Sequence, residues 1–91
     1  MKIKDGYTLD YEDDQITVVP GEGVTPAFRD TVILSDTAAF AFEVLTRSVS
    51  RDKLIDIITD YYDAVERSQI AADVDALLDV FRRLELLDEE Q

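Results

Sequence analysis

The chain predicts an α+β fold of the winged-helix kind, a three-stranded antiparallel sheet followed by three α-helices. Three observations carry this. Apolar and polar residues alternate from Tyr7 to Val18, a β-branched run at Thr31, Val32 and Ile33 leads through Leu34 straight into a capped helix, and two later segments carry apolar residues at helical spacing.

Tyr7, Leu9 and Tyr11 alternate with Thr8, Asp10 and Glu12, and Asp13-Asp14 supplies a tight turn before Ile16 and Val18 alternate with Gln15 and Thr17. That is the pattern of a β-hairpin. Pro20-Gly21-Glu22-Gly23 ends the second strand, and the segment through Pro26, Phe28, Arg29 and Asp30 reads as an irregular loop. The third strand is expected at Thr31, Val32, Ile33 and Leu34, the first three β-branched and so favouring extended backbone.

Ser35 is placed to cap the helix that follows, and Asp36 sits at the positive end of its dipole. This first helix, about 36–47, is apolar on more than one side. Ala38, Ala41, Phe42 and Leu45 share one face, and Phe40 and Val44 project from nearly the opposite one. Either the helix is sandwiched inside the domain, or Phe40 and Val44 form a patch for a partner.

A second helix is expected from the Ser50 cap, with Leu54, Ile57, Ile58 and Tyr61 facing inward. Asp52, Asp56, Asp60 and Asp63 recur along its other side, and a straight solvated stripe cannot wrap a hard cation. Asp63-Ala64-Val65-Glu66 has the form of a capping box and is expected to open the third helix, ending near Leu84. Ile70, Val74, Leu77, Leu78 and Phe81 make its core stripe, flanked on one side by Asp73, Val80 and Leu84.

Composition narrows the function. With 91 residues the chain can build one core, and a single domain over residues 1–91 is expected. It contains no Cys and no His, so the usual zinc ligands, thiol nucleophiles and neutral-pH proton carriers are missing. Paired carboxylates such as Asp13 and Asp14 read as a turn, not as the desolvated cleft that acid–base catalysis needs. No catalytic residue, metal site or cofactor is expected. The 21 acidic against 9 basic residues give a net charge of -12, which repels phosphate backbones and anionic lipid. A nucleic-acid or membrane partner is therefore not expected, and the N-terminal residues lack the apolar run of a signal peptide, which points to the cytoplasm.

Four stretches resemble the PqqD family, the small proteins of pyrroloquinoline quinone biosynthesis and their relatives, known together as RiPP recognition elements. They are Met1–Tyr7, the strand-to-helix junction Ile33–Phe40, Asp73-Val74 with Leu77-Leu78, and the closing Leu84-Glu85-Leu86-Leu87. Glu85 stands where the family commonly has Gly, so the third helix is expected to end without a left-handed cap.

The resemblance implies a non-catalytic adaptor. Such a protein binds the leader segment of a ribosomally synthesised precursor peptide as an added strand and delivers it to a modifying enzyme, often a radical SAM protein. By position it implies Thr31, Val32, Ile33 and Leu34 as the docking strand, and Asp73, Leu77 and Val80 as walls of the adjoining groove. Two alternatives stand beside it. One is a scaffold or homodimer joined through Phe40 and Val44. The other is a winged-helix DNA-binding protein, which the acidic third helix disfavours.

Overall fold

The computed structural model describes residues 1–89. Its elements run β1 (Lys2–Ile3), β2 (Tyr7–Glu12), β3 (Gln15–Pro20), β4 (Ile33–Leu34), α1 (Asp36–Val44), α2 (Arg51–Tyr61), α3 (Arg67–Arg83) and β5 (Leu87–Asp88). The expected three-stranded sheet is present as β2-β3-β4, antiparallel throughout, and the three expected helices follow it. Its hairpin pairs Tyr7 with Pro20 and Glu12 with Gln15, so Asp13 and Asp14 form the turn.

A second sheet was not foreseen. β1 and β5 pair antiparallel, Ile3 opposite Leu87, and close the two ends of the described chain on one another. The amide of Ile3 also donates to the carbonyl of Leu45 at 2.8 Å, and that of Lys4 to Leu86 at 2.8 Å. Two-residue strands joined across more than eighty positions leave no local periodicity to read.

The core gathers side chains from every layer. Phe42, Leu45, Leu54, Ile58, Leu78 and Phe81 are all essentially inaccessible. Phe42 of α1 meets Phe81 of α3 edge-on, with ring centroids 6.2 Å apart, the arrangement that the ring quadrupoles favour. The apolar excess of α1 has a simple cause. Ala39, Ala41 and Phe42 are buried, while Phe40 and Val44 are half-buried and pack against the same core. Phe40 is covered by Tyr61 of α2, stacked at 4.6 Å.

The second helix buries part of the face expected, with Ile57 only half-buried. Leu54 and Ile58 point inward as read, but Ile55 joins them, and Tyr61 is 64% exposed. Tyr61 is the last residue of the helix, beyond the reach of the core, and its ring lies over Phe40 instead.

The capping box at Asp63–Glu66 does not form. Five residues separate α2 from α3, the α3 N-cap is Glu66, and its side chain makes no capping hydrogen bond. Arg67 reaches back to Asp56 at 2.7 Å, an ion pair that ties the start of α3 to α2. The two other predicted caps are made. Ser35 accepts from the amide of Ala38 at 3.1 Å, and Ser50 from that of Lys53 at 3.0 Å.

The end of α3 also departs from expectation. Glu85 takes the left-handed conformation with φ 58°, although it is not Gly. The amide of Glu85 donates to the Arg82 carbonyl at 3.0 Å, and that of Leu86 to Phe81 at 2.9 Å. These two bonds define a Schellman cap. Leu86 and Phe81, both fully buried, provide its apolar contact and hold Glu85 in a conformation that costs a non-glycine residue about 1 kcal/mol.

Candidate functional site

Strand β4 lies at the edge of its sheet, and the ladder decides which of its main-chain groups remain open. The register sets Ile16 opposite Leu34 and Thr17 opposite Ile33, and the amide of Val18 donates to the carbonyl of Val32 at 3.1 Å. Hydrogen-bonded and non-hydrogen-bonded pairs alternate along an antiparallel ladder. Val32 and Leu34 therefore turn their N–H and C=O groups toward β3, and Ile33 turns both of its own away. Among the described residues no strand pairs with that side. Ile33 thus offers one donor and one acceptor to an added strand.

Beside this edge runs a groove of about 460 Å³ between β4, the start of α1 and α3. Leu34, Leu77 and Phe81, all buried, form its apolar base, and Ala38 and Ala76 leave it open by being small. Ile33 and Val80, 58% and 41% exposed, rise at its sides. Exposed aliphatic residues facing one another across a cleft are surface that a guest side chain can cover.

Asp73 lines the same groove near one end, held by a hydrogen bond from the Gln69 side-chain amide at 3.1 Å. Helical spacing explains its company: Asp73, Ala76, Leu77 and Val80 fall on one stripe of α3. Leu77 is only 9% exposed and belongs to the core as well as to the groove.

Five of the seven residues singled out from the sequence therefore meet in one place: Ile33, Leu34, Asp73, Leu77 and Val80. Thr31 and Val32 do not line it. Regular strand structure covers only Ile33–Leu34, and Val32 is half-buried against the core with its carbonyl already bonded to β3. Thr31 borders a separate hollow with Pro20, Phe28 and Arg29. Ser35, Thr37, Ala38, Ala76 and Phe81 were missed as lining residues. Ala76 sits three residues after Asp73 and carried a legible signal. Thr37 and Ala38 reach the groove only because α1 leaves β4 at a particular angle.

No ion pair spans the groove among the described residues. Three cations of α2 and α3, Arg51, Arg67 and Arg82, are engaged in ion pairs that lie outside the groove. Arg51 grips Asp75 through Nε at 2.6 Å and Nη2 at 2.8 Å, and Arg82 bonds Glu89 and Asp79. The Arg51 guanidinium holds the Asp75 carboxyl below its ordinary range, and Arg82 does the same to Glu89. On the sheet side, the Tyr11 hydroxyl donates to Glu43 at 2.7 Å, and that bond to a carboxylate pushes the phenol pKa up.

No helix among the described residues is long and apolar enough to cross a membrane. A comparison with curated protein sequences finds no match. Among solved structures, that of TbiB1 in complex with the TbiA(beta) leader peptide is similar, with a TM-score of 0.73 over 100% of this chain and 99% of that one. The two are 21% identical, so the likeness shows a shared fold. The family model for coenzyme PQQ synthesis protein D (PqqD) matches residues 19–87, which include β4, α1 and α3 and so every wall of the groove. The chain belongs to the PqqD family.

Proposed function

We propose that this protein is a peptide-binding adaptor of RiPP biosynthesis. It takes the leader segment of a ribosomally made precursor as an added strand on β4 and presents it to a modifying enzyme, such as a radical SAM protein, performing no chemistry itself. The observation that carries the reading is the pairing of an open main-chain donor and acceptor at Ile33 with an apolar groove of about 460 Å³ alongside. Main-chain bonds supply register and part of the affinity, and alternate guest side chains entering the groove supply specificity.

Membership of the PqqD family supports this role, as does the shared fold with TbiB1, whose own structure holds a leader peptide. On this reading residues 1–91 act as one recognition domain. Ile33 supplies the main-chain contacts, with Leu34, Leu77 and Val80 receiving apolar side chains and Asp73 marking one end. Thr31 and Val32 hold the edge in register and make no groove contact.

The test is a titration of isotopically labelled protein with a candidate leader peptide. The amide signals of Ile33, Ser35 and the Asp73–Val80 stripe should move together. Tight binding that leaves Ile33 unmoved would refute strand addition.

A further inference from the structure

The edge of β4 serves two hollows. The apolar groove over α3 is one, and the other, of about 470 Å³, lies at the hairpin end, between the β2–β3 turn and the start of α1. Ile33, Leu34 and Ser35 line both, so the two form one trough along the strand. Their chemistry differs sharply.

The hairpin hollow is lined by Glu12, Asp13, Asp14 and Asp36, all exposed, with Tyr11 and Ile16 as its apolar part. None of the four carboxylates has an ion-pair partner among the described residues. No Lys or Arg lines either hollow, and Arg29 is the only cation between residues 5 and 46. Arg29 borders the hollow at the opposite, Thr31 end of the strand, where Asp30 stands next to it and offsets its charge. The trough is therefore electrically lopsided: apolar along α3 apart from the single carboxylate of Asp73, nearly neutral at the Thr31 end, and most strongly negative at the Ser35 end, where four carboxylates gather.

We infer that the guest is an extended peptide with apolar residues over α3 and a Lys or Arg where it passes Ser35, reaching the carboxylates of the β2–β3 turn and Asp36. This rests on the strand-addition reading above. Main-chain pairing at Ile33 places the guest, the α3 groove selects its apolar residues, and the hairpin end selects its charge. A long cationic side chain suits the place, since its stem can lie on Tyr11 and Ile16 while its head meets the carboxylates. The same field rejects a guest acidic at that end, so the hollow supplies discrimination as well as attraction.

The probe is a phage-displayed library of random dodecapeptides panned on the intact protein. The enriched peptides should carry Lys or Arg at a fixed interval to one side of an apolar pair. Changing that residue to Gln in the synthetic peptide, or making Asp13→Asn, Asp14→Asn and Asp36→Asn together, should each weaken binding about threefold to fivefold at low salt. The two changes combined should cost little more than either alone, which identifies the groups as partners. The exposed Asp13→Asn, Asp14→Asn pair, tested separately, should show the same coupling without touching the α1 cap. If peptides shift the Ile33 amide but show no basic preference and bind the variants equally, the charge inference is wrong and strand addition stands. If no peptide enriches, or peptides bind without shifting Ile33, both are wrong.

Discussion

Ile33 stands opposite Thr17 in the β3–β4 ladder at a position where neighbours exchange no main-chain hydrogen bonds. Its N–H and C=O face the open edge, whereas those of Val32 and Leu34 are committed to β3. A proline at position 33 therefore removes a donor from the guest and none from the sheet. Ile33→Pro should keep the thermal midpoint within a few degrees and weaken leader binding by about fivefold, the worth of one hydrogen bond near 1 kcal/mol. Calorimetric titration beside a thermal melt measures both. Leu34→Pro is the contrast, since it breaks the ladder and should destabilise the fold.

Leu77 and Val80 share the groove but not the core. Leu77 is 9% exposed and Val80 41%. Leu77→Ala should cost about 3 kcal/mol of stability through lost burial and the cavity left behind. Val80→Ala should change stability by less than about 0.5 kcal/mol, so any loss of peptide affinity in that variant reports contact with the guest. Chemical denaturation curves with and without peptide separate the two effects.

Glu85 sits left-handed at the end of α3 because Leu86 must turn back to meet Phe81. Glycine relieves the steric cost there. Glu85→Gly should stabilise the protein by about 1 kcal/mol, raising the melting midpoint by roughly 5 °C. A lower midpoint would mean that the unfolded-chain entropy of the added glycine outweighs the relief.

Arg51 binds Asp75 through two nitrogens, and the Asp75 carboxyl is held below its ordinary range by that hydrogen bond first and by charge attraction second. A carboxyl whose folded pKa is depressed contributes stability above its unfolded pKa and loses it as pH falls through the folded value. The pair should therefore contribute fully at neutral pH and fade only below the ordinary carboxylate range. Arg51→Gln should return the Asp75 midpoint to that range, as followed by carboxyl-carbon NMR. Because both groups are exposed, salt should weaken the effect.

Much of this architecture was written in local patterns. Alternation from Tyr7 to Val18 identified the hairpin, Ser35 and Ser50 identified two helix starts, and Ile70, Val74, Leu77, Leu78 and Phe81 identified the buried stripe of α3, all of which are buried. Local pattern failed where geometry at a distance intervened. Asp63 and Glu66 have the spacing of a capping box, but the chain leaves α2 through an irregular turn, and α3 starts at Arg67 where its guanidinium can reach Asp56. Tyr61 has the spacing of an inward residue, yet α2 ends there and the ring covers Phe40.

The site divides in the same way. Residue spacing alone determined that Asp73, Leu77 and Val80 share a stripe of α3 and that a strand ends at Leu34, although the regular strand, Ile33–Leu34, is two residues shorter than read. Only the tertiary structure decided that Ile33 carries the open main-chain groups, because that depends on the register between strands separated by a long loop. It also decided that the hairpin carboxylates gather beside Ser35 and Asp36. A side chain's periodicity is set by its own backbone, but what it faces is set by which distant element the core draws against it.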